Sequence, residues 1–277
     1  MPILRFYAEL NDFLPPSLRG RGLECVAAPH ESLKHVIEAL GVPHTEVALV
    51  RVDGRAASLQ ECVAGARRIS VYPTFRRLGP LDGRDAAAPA GLADGGPAPM
   101  AGTAGAPSAA DPRFVADVHL ARLARLLRFA GYDTLWRATW HDAELVAQAR
   151  AEGRVVLTRD RDLLMRRDVE RGCYLRDATP PAQLAELARR LGLDLRGARA
   201  GRCLGCNAVL EPVDKAEVEA ALPPATRRDF ERFWRCPGCG GVFWCGSHWK
   251  RMRAVLDAAA PQEAAAPAAD GAPSGSA

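Results

Sequence analysis

The run Arg113-Phe114-Val115-Ala116-Asp117 reads as a short apolar strand that ends on an acid, and Gly153-Arg154-Val155-Val156-Leu157-Thr158 reads as a second, delivering Arg159-Asp160-Arg161-Asp162. Helical signals lie between them. From His119 to Ala130, the apolar Leu120, Leu123, Leu127 and Ala130 share one face, and Gly131 stops the helix. Gly131 to Trp136 predicts another short strand, and a helix then begins at Asp142-Ala143-Glu144, where Asp142 also suits an N-cap. Alternating strands and helices predict an α/β fold, a parallel sheet with helices on both faces. In such sheets the carboxyl ends of the strands open on the ligand crevice. Asp117, Asp160 and Asp162 are therefore expected together, with Asp142 or Glu144 at the mouth of a helix. Crowded carboxylates repel unless they are protonated or share a cation, and the hard, oxygen-seeking Mg²⁺ or Mn²⁺ suits them. Capping and surface roles are the competing reading of the same acids.

The stretches Phe114 to Asp117, Leu120-Ala121-Arg122-Leu123-Ala124-Arg125-Leu126-Leu127-Arg128-Phe129-Ala130-Gly131-Tyr132-Asp133-Thr134, and Val156 to Leu164 resemble the Mut-seven C-terminal RNase family. The resemblance spans about residues 112–258. It implies a PIN-like nuclease: a parallel sheet sandwiched by helices, with clustered acids binding divalent metal and cutting RNA. Carried over, Asp117 matches the acid ending the first strand and Asp160 the acid of the Thr-Arg-Asp motif. Asp162 joins them, and Asp142 is the match for the helix-borne acid, with Glu144 its rival. Arg122, Arg125 and Arg159 are the expected substrate contacts. Arg122, Arg125 and Arg128 recur every three residues, either as a solvated face or as a stripe that tracks phosphates.

Cys203-x₂-Cys206, then 29 residues, then Cys236-x₂-Cys239 gives two knuckles and four thiolates, the donor set of a closed tetrahedral Zn²⁺ site. Trp244-Cys245-Gly246-Ser247-His248-Trp249-Lys250-Arg251 also matches the family's ending. Trp234, Trp244 and Trp249 either pack a ribbon too small to hold itself together, or join Lys250, Arg251 and Arg253 in stacking and clasping single-stranded RNA. The remaining Cys25, Cys62 and Cys173 read as small core side chains.

In front, Ile3 to Tyr7, Val47 to Val52 and Arg68 to Pro73 read as strands and Ser32 to Leu40 as a helix, with Asp53-Gly54 as a hairpin turn. This order resembles the α+β ubiquitin-like β-grasp domains of the sulfur-carrier type. Such carriers end in a free Gly-Gly, whereas here the chain continues through Thr74-Phe75-Arg76-Arg77. An interaction role, through a protein partner, is expected instead of sulfur transfer. The chain divides into a β-grasp domain (1–78), a linker (79–111) with 23 Ala, Gly or Pro in 33 residues, a nuclease domain (112–200), a zinc ribbon (201–258) and an unstructured tail (259–277). A flexible coil of the linker's length spans roughly 30 Å, which predicts independent flanks.

The formal net charge is +4, but residues 112–200 alone hold 17 Arg, no Lys and 12 acids, a balance of +5. Excess guanidinium suits phosphate, although Arg also replaces Lys nearly everywhere in this chain. Neither a membrane-length apolar run nor a signal-peptide plan is found, so a cytoplasmic protein with no membrane association is expected. The ranked expectation is a metal-dependent ribonuclease; the alternative is a noncatalytic RNA-binding or adaptor protein.

Overall fold

The computed structural model describes residues 1–28, 30–73, 111–197 and 201–261; the expected linker up to residue 110, and the tail from residue 262, lie outside them. In the first unit, β1 (Ile3–Phe6), β2 (Leu23–Glu24), α1 (Leu33–Ala39), β3 (Val47–Val52), β4 (Arg55–Ala57) and β5 (Arg68–Pro73) form one sheet and one helix. The sheet order is β2-β1-β5-β3-β4, with β1 parallel to β5. Ser32 caps α1 by accepting the His35 N–H at 3.2 Å, and Leu33, Val36 and Ile37 turn into the core. Asp53 and Gly54 both take positive φ, +48° and +90°, the backbone of a type I′ hairpin. This is a ubiquitin-like β-grasp domain.

The second unit contains β6 (Phe114–Ala116), α2 (Ala121–Phe129), β7 (Thr134–Leu135), α3 (Asp142–Glu152), β8 (Val155–Thr158), α4 (Arg161–Met165), β9 (Gly172–Tyr174) and α5 (Pro180–Leu191). The strands run all parallel in the order β7-β6-β8-β9. Successive strand residues face opposite sides. Phe114, Ala116, Val155 and Leu157 meet α2 and α5, while Val115 and Val156 meet α3 and α4. The result is the expected PIN-like α/β sandwich.

Strands β10 (Glu211–Val213), β11 (Phe233–Arg235) and β12 (Val242–Phe243), with α6 (Lys215–Val218) and α7 (Pro224–Asp229), make the four-cysteine ribbon. The last helix, α8 (Ser247–Ala259), leaves it. Met252, Leu256, Ala259 and Ala260 pack into the core shared with α2 and α5. The segment expected as the ribbon's end thus belongs to the core of the parallel-sheet unit, and Ala259 and Ala260, expected in the tail, are buried. Cys25 and Cys173 are buried as expected, but Cys62 is exposed. Among the described residues no helix is long and apolar enough to cross a membrane.

Candidate functional site

Thr158, the last residue of β8, is fully buried. Its hydroxyl donates to Asp117 Oδ2 at 2.6 Å and accepts the Asp160 N–H at 2.9 Å. Strands β6 and β8 are parallel neighbours, so Asp117, one residue past β6, and Asp160, two past β8, emerge at one edge of the sheet. Asp117 is itself buried; its N–H donates to Leu157 O at 3.0 Å and its Oδ1 accepts the His119 N–H at 3.3 Å. Asp160 is exposed and caps α4, with Oδ1 accepting the Asp162 N–H at 2.8 Å. The Thr158 hydroxyl thereby joins the Asp117 carboxylate to the Asp160 backbone, and the Asp160 carboxylate in turn holds the Asp162 backbone.

The helix-borne acids stand apart from this chain of bonds. Glu144 turns back to accept the His141 N–H at 2.9 Å, closing a capping box in which His141, not Asp142, is the N-cap. Asp142 is exposed at the first position of α3. It lies near Arg166, whose guanidinium is held charged chiefly by Asp168 and also by Asp142. Among the described residues, no three carboxylates bring their oxygens within 4.8 Å of one another; the one group of metal-ligating side chains that close is the four cysteines. Thr158 is the participant that sequence reasoning left without a role, although it sits in the quoted motif. Its signal is a hydroxyl at the buried end of a strand, immediately before Arg-Asp.

Of the expected arginines, Arg122 and Arg125 are exposed on α2, and Arg159 is exposed beside Asp160. Arg128 departs from the expected stripe. It is buried, donating to Thr134 O at 2.8 Å and to Leu204 O and Gly205 O at 2.8 and 2.9 Å, so it clamps the first cysteine knuckle to the sheet.

In the ribbon, Cys203 Sγ lies 3.6 Å from Cys239 Sγ, and Cys206 Sγ lies 3.2 Å from Cys236 Sγ. Four sulfurs at ~2.3 Å from a tetrahedral Zn²⁺ stand ~3.8 Å apart, so the set fits that ion. The Cys206 and Cys239 N–H groups donate to Cys203 Sγ and Cys236 Sγ at 3.5 and 3.4 Å. Burial opposes the Cys236 thiolate, but hydrogen bonds from Cys206, Cys239 and Gly238 bring its pKa down to about 7. Cys206 receives an N–H bond from Ala208, yet the neighbouring thiols and burial push it up to about 12.

The family described as Mut7-C RNAse domain matches residues 112–256, and that described as Mut7-C ubiquitin matches residues 2–79. The chain belongs to the Mut7-C RNAse family. No curated protein and no solved structure matches it. Within the Mut7-C span, the ribbon is tied to the sheet by a second contact besides Arg128. Asn207, held at φ +71°, donates to Asp133 Oδ1 at 2.7 Å and accepts the Thr134 N–H at 3.1 Å. Buried Arg154 forks onto the same carboxylate at 2.7 and 3.1 Å.

The Mut7-C ubiquitin-like domain meets the nuclease domain beside the acids. Its Glu46 accepts the Tyr174 N–H at 2.7 Å and pairs with Arg190 at 2.5 Å. His44 Nε2 is 2.9 Å from Val169 O, and Arg161, between Asp160 and Asp162, reaches Phe13 O at 3.5 Å. The expectation of independent flanks is not met: the two domains share buried polar contacts.

Proposed function

We propose that this chain is a metal-dependent ribonuclease that hydrolyses RNA phosphodiester bonds at the carboxyl edge of the parallel sheet. The observation that carries this reading is the Thr158 hydroxyl joining the carboxylate of Asp117 to the backbone of Asp160. Asp117, Asp160 and Asp162 would hold Mg²⁺ or Mn²⁺, with Asp142 contributing from the mouth of α3. When bound, such a cation supplies an activated water and neutralises charge on the phosphodiester. The chain's own part is to hold the acids in place and aimed. Thr158 fixes the inner carboxylate of Asp117, and the turn into α4 fixes Asp160. Arg122, Arg125 and Arg159 would meet phosphates from the exposed side, where guanidinium forks bind in pairs of hydrogen bonds.

The cysteine set would carry structural zinc, and its thiolates persist in a reducing, cytoplasmic setting. The face of the ubiquitin-like domain turned away from the nuclease domain is where a protein partner would dock. One observation favours the noncatalytic RNA-binding or adaptor reading: no three acids close to 4.8 Å among the described residues. The deciding assay is purified full-length protein on single-stranded RNA with Mn²⁺ supplied or withheld, beside Asp160→Asn. We expect cleavage that needs Mn²⁺ and falls at least a hundredfold in the variant; equal cleavage by both proteins refutes the assignment.

A further inference from the structure

A cavity of about 790 Å³ opens between the ribbon and the end of α2, and the rings of Phe129, Trp234, Phe243, Trp244 and Trp249 all line it. Its volume lies within the roughly 300 to 1,000 Å³ of pockets that accept small organic groups. Three of the chain's five tryptophans are here, and of these Trp244 also packs against the small ribbon cluster around Val218, Leu222 and Phe233 whereas Trp234 and Trp249 do not. Trp249 is 39% exposed and meets Phe129 edge to face at 5.9 Å, so part of its surface remains open. Cys245 and His248, which lie outside the four-sulfur group, line the cavity too.

Arg196, Arg202 and Arg253 line the cavity as well. Arg196 is exposed at the mouth, Lys250 and Arg251 are exposed on the same helix as Trp249, and Arg253 is paired with Asp257 at 2.9 Å. His248, Leu204 and Met252 border both this cavity and a shallower hollow that carries Arg122 and Arg125. That hollow follows α2 back toward Asp117. The eight steps from Phe129 to Ala121 and the 3-10 turn before them add up to ~18 Å. At ~3.4 Å per stacked nucleotide that is about five nucleotides.

We propose that the aromatic cavity is a subsite for an unpaired base of the RNA strand, about five nucleotides from the bond cut at Asp117 and Asp160, with Arg125 and Arg122 taking the phosphates between. The inference rests on the ribonuclease reading but is tested without cleavage. Every base presents a π-face, so stacking on these rings is tolerant of sequence, and the arginine track adds affinity that salt weakens. A peptide would use the rings but has no use for a phosphate-spaced arginine track leading to carboxylates.

The test measures binding of a labelled 12-nucleotide single-stranded RNA to full-length zinc-loaded protein with no added Mg²⁺ or Mn²⁺, for wild type, Trp249→Ala, Trp249→Phe and Arg125→Ala. Zinc content and melting temperature confirm that each variant is folded. Trp249→Ala is expected to weaken binding roughly tenfold, the order of one stacked base, with Trp249→Phe within threefold of wild type. Arg125→Ala is expected to weaken binding and to flatten its salt dependence. Affinities within twofold across all four proteins overturn the proposal, as does heparin, a polyanion without bases, binding as tightly as the RNA and losing as much in Trp249→Ala. If RNA binding depends on Trp249 while Asp160→Asn still cleaves, the subsite stands and the catalytic assignment falls. The reverse pattern removes the subsite alone.

Discussion

Thr158 is the residue on which the acidic edge depends. A buried hydroxyl that both donates and accepts satisfies two groups at once, and removing it leaves the Asp117 carboxylate and the Asp160 N–H each short of a partner. Valine has nearly the same shape but neither function. Leaving such groups unsatisfied costs about 1–3 kcal/mol, and Thr158→Val should lower the melting temperature accordingly. Its effect on cleavage should be larger than the stability loss implies, because the carboxylate that would hold the cation is freed to swing. With Mn²⁺ saturating and the fold verified by circular dichroism, we expect kcat to fall at least tenfold in Thr158→Val, while Thr158→Ser keeps most of the activity. Similar kcat values for the valine and serine variants would remove Thr158 from the mechanism.

The junction between ribbon and sheet makes its own prediction. Burial raises the Asp133 pKa, but hydrogen bonds from Arg154 and Asn207 outweigh it, and the carboxyl ends below its usual value. A depressed folded-state pKa means stabilisation that is complete above the unfolded value of about 3.9 and is lost as pH falls further, through the folded value. Wild type should therefore exceed Asp133→Asn in melting temperature by a constant margin above about pH 5. That margin should narrow as pH is lowered from 4 to 3; a margin unchanged down to pH 3 would show that Asp133 is not the titrating link. Stripping the metal should undo the ribbon as a unit: we expect Cys203→Ser to lose bound zinc, as read by elemental analysis, and to expose the ribbon to protease. Much of this layout was legible beforehand, because β3, β5, β6 and β8 announce themselves as apolar runs and Gly131 ends α2 at φ +90°. Arg128 was not, and the reason is geometric. Each three-residue step along a helix falls ~60° short of a full turn, so a stripe that starts exposed at Arg122 has rotated to the inner face by Arg128. Strand β9, three residues long, carries too little alternation to be read, and α8 was hidden because the cysteines, not its own apolar face, set the expected boundary.

At the scale of the whole molecule, the question is what holds the two domains against each other. What favours docking is concentrated on Glu46, whose side chain is wholly buried. It pairs with Arg190 at 2.5 Å and lies 3.5 Å from Arg176; both arginines also meet Glu186, at 3.5 and 3.3 Å. The cluster sets Glu46 and Glu186 against two guanidinium groups, and Asp12 adds a third, half-exposed carboxylate 3.2 Å from Arg176. Glu46 also occupies the Tyr174 N–H of β9, the strand at the edge of the nuclease sheet, so an edge otherwise open to pairing with other chains is covered from within. Breaking one side of a buried ion pair typically costs about 3–5 kcal/mol, mainly because the partner is left charged and desolvated. Glu46→Ala should therefore undock the domains. Calorimetry is expected to resolve two transitions where wild type gives one, and protease should cut within residues 74–110 faster. Because Arg161 reaches Phe13 O from between Asp160 and Asp162, cleavage by Glu46→Ala should fall severalfold as well. The control is Glu46→Ala combined with Arg190→Met, which removes the stranded charge and should recover part of the lost stability without restoring the Tyr174 hydrogen bond. A single, unshifted transition in Glu46→Ala would mean that the two domains are held by their apolar contacts, such as Phe13 against Tyr174 at 5.1 Å, and not by the charge cluster.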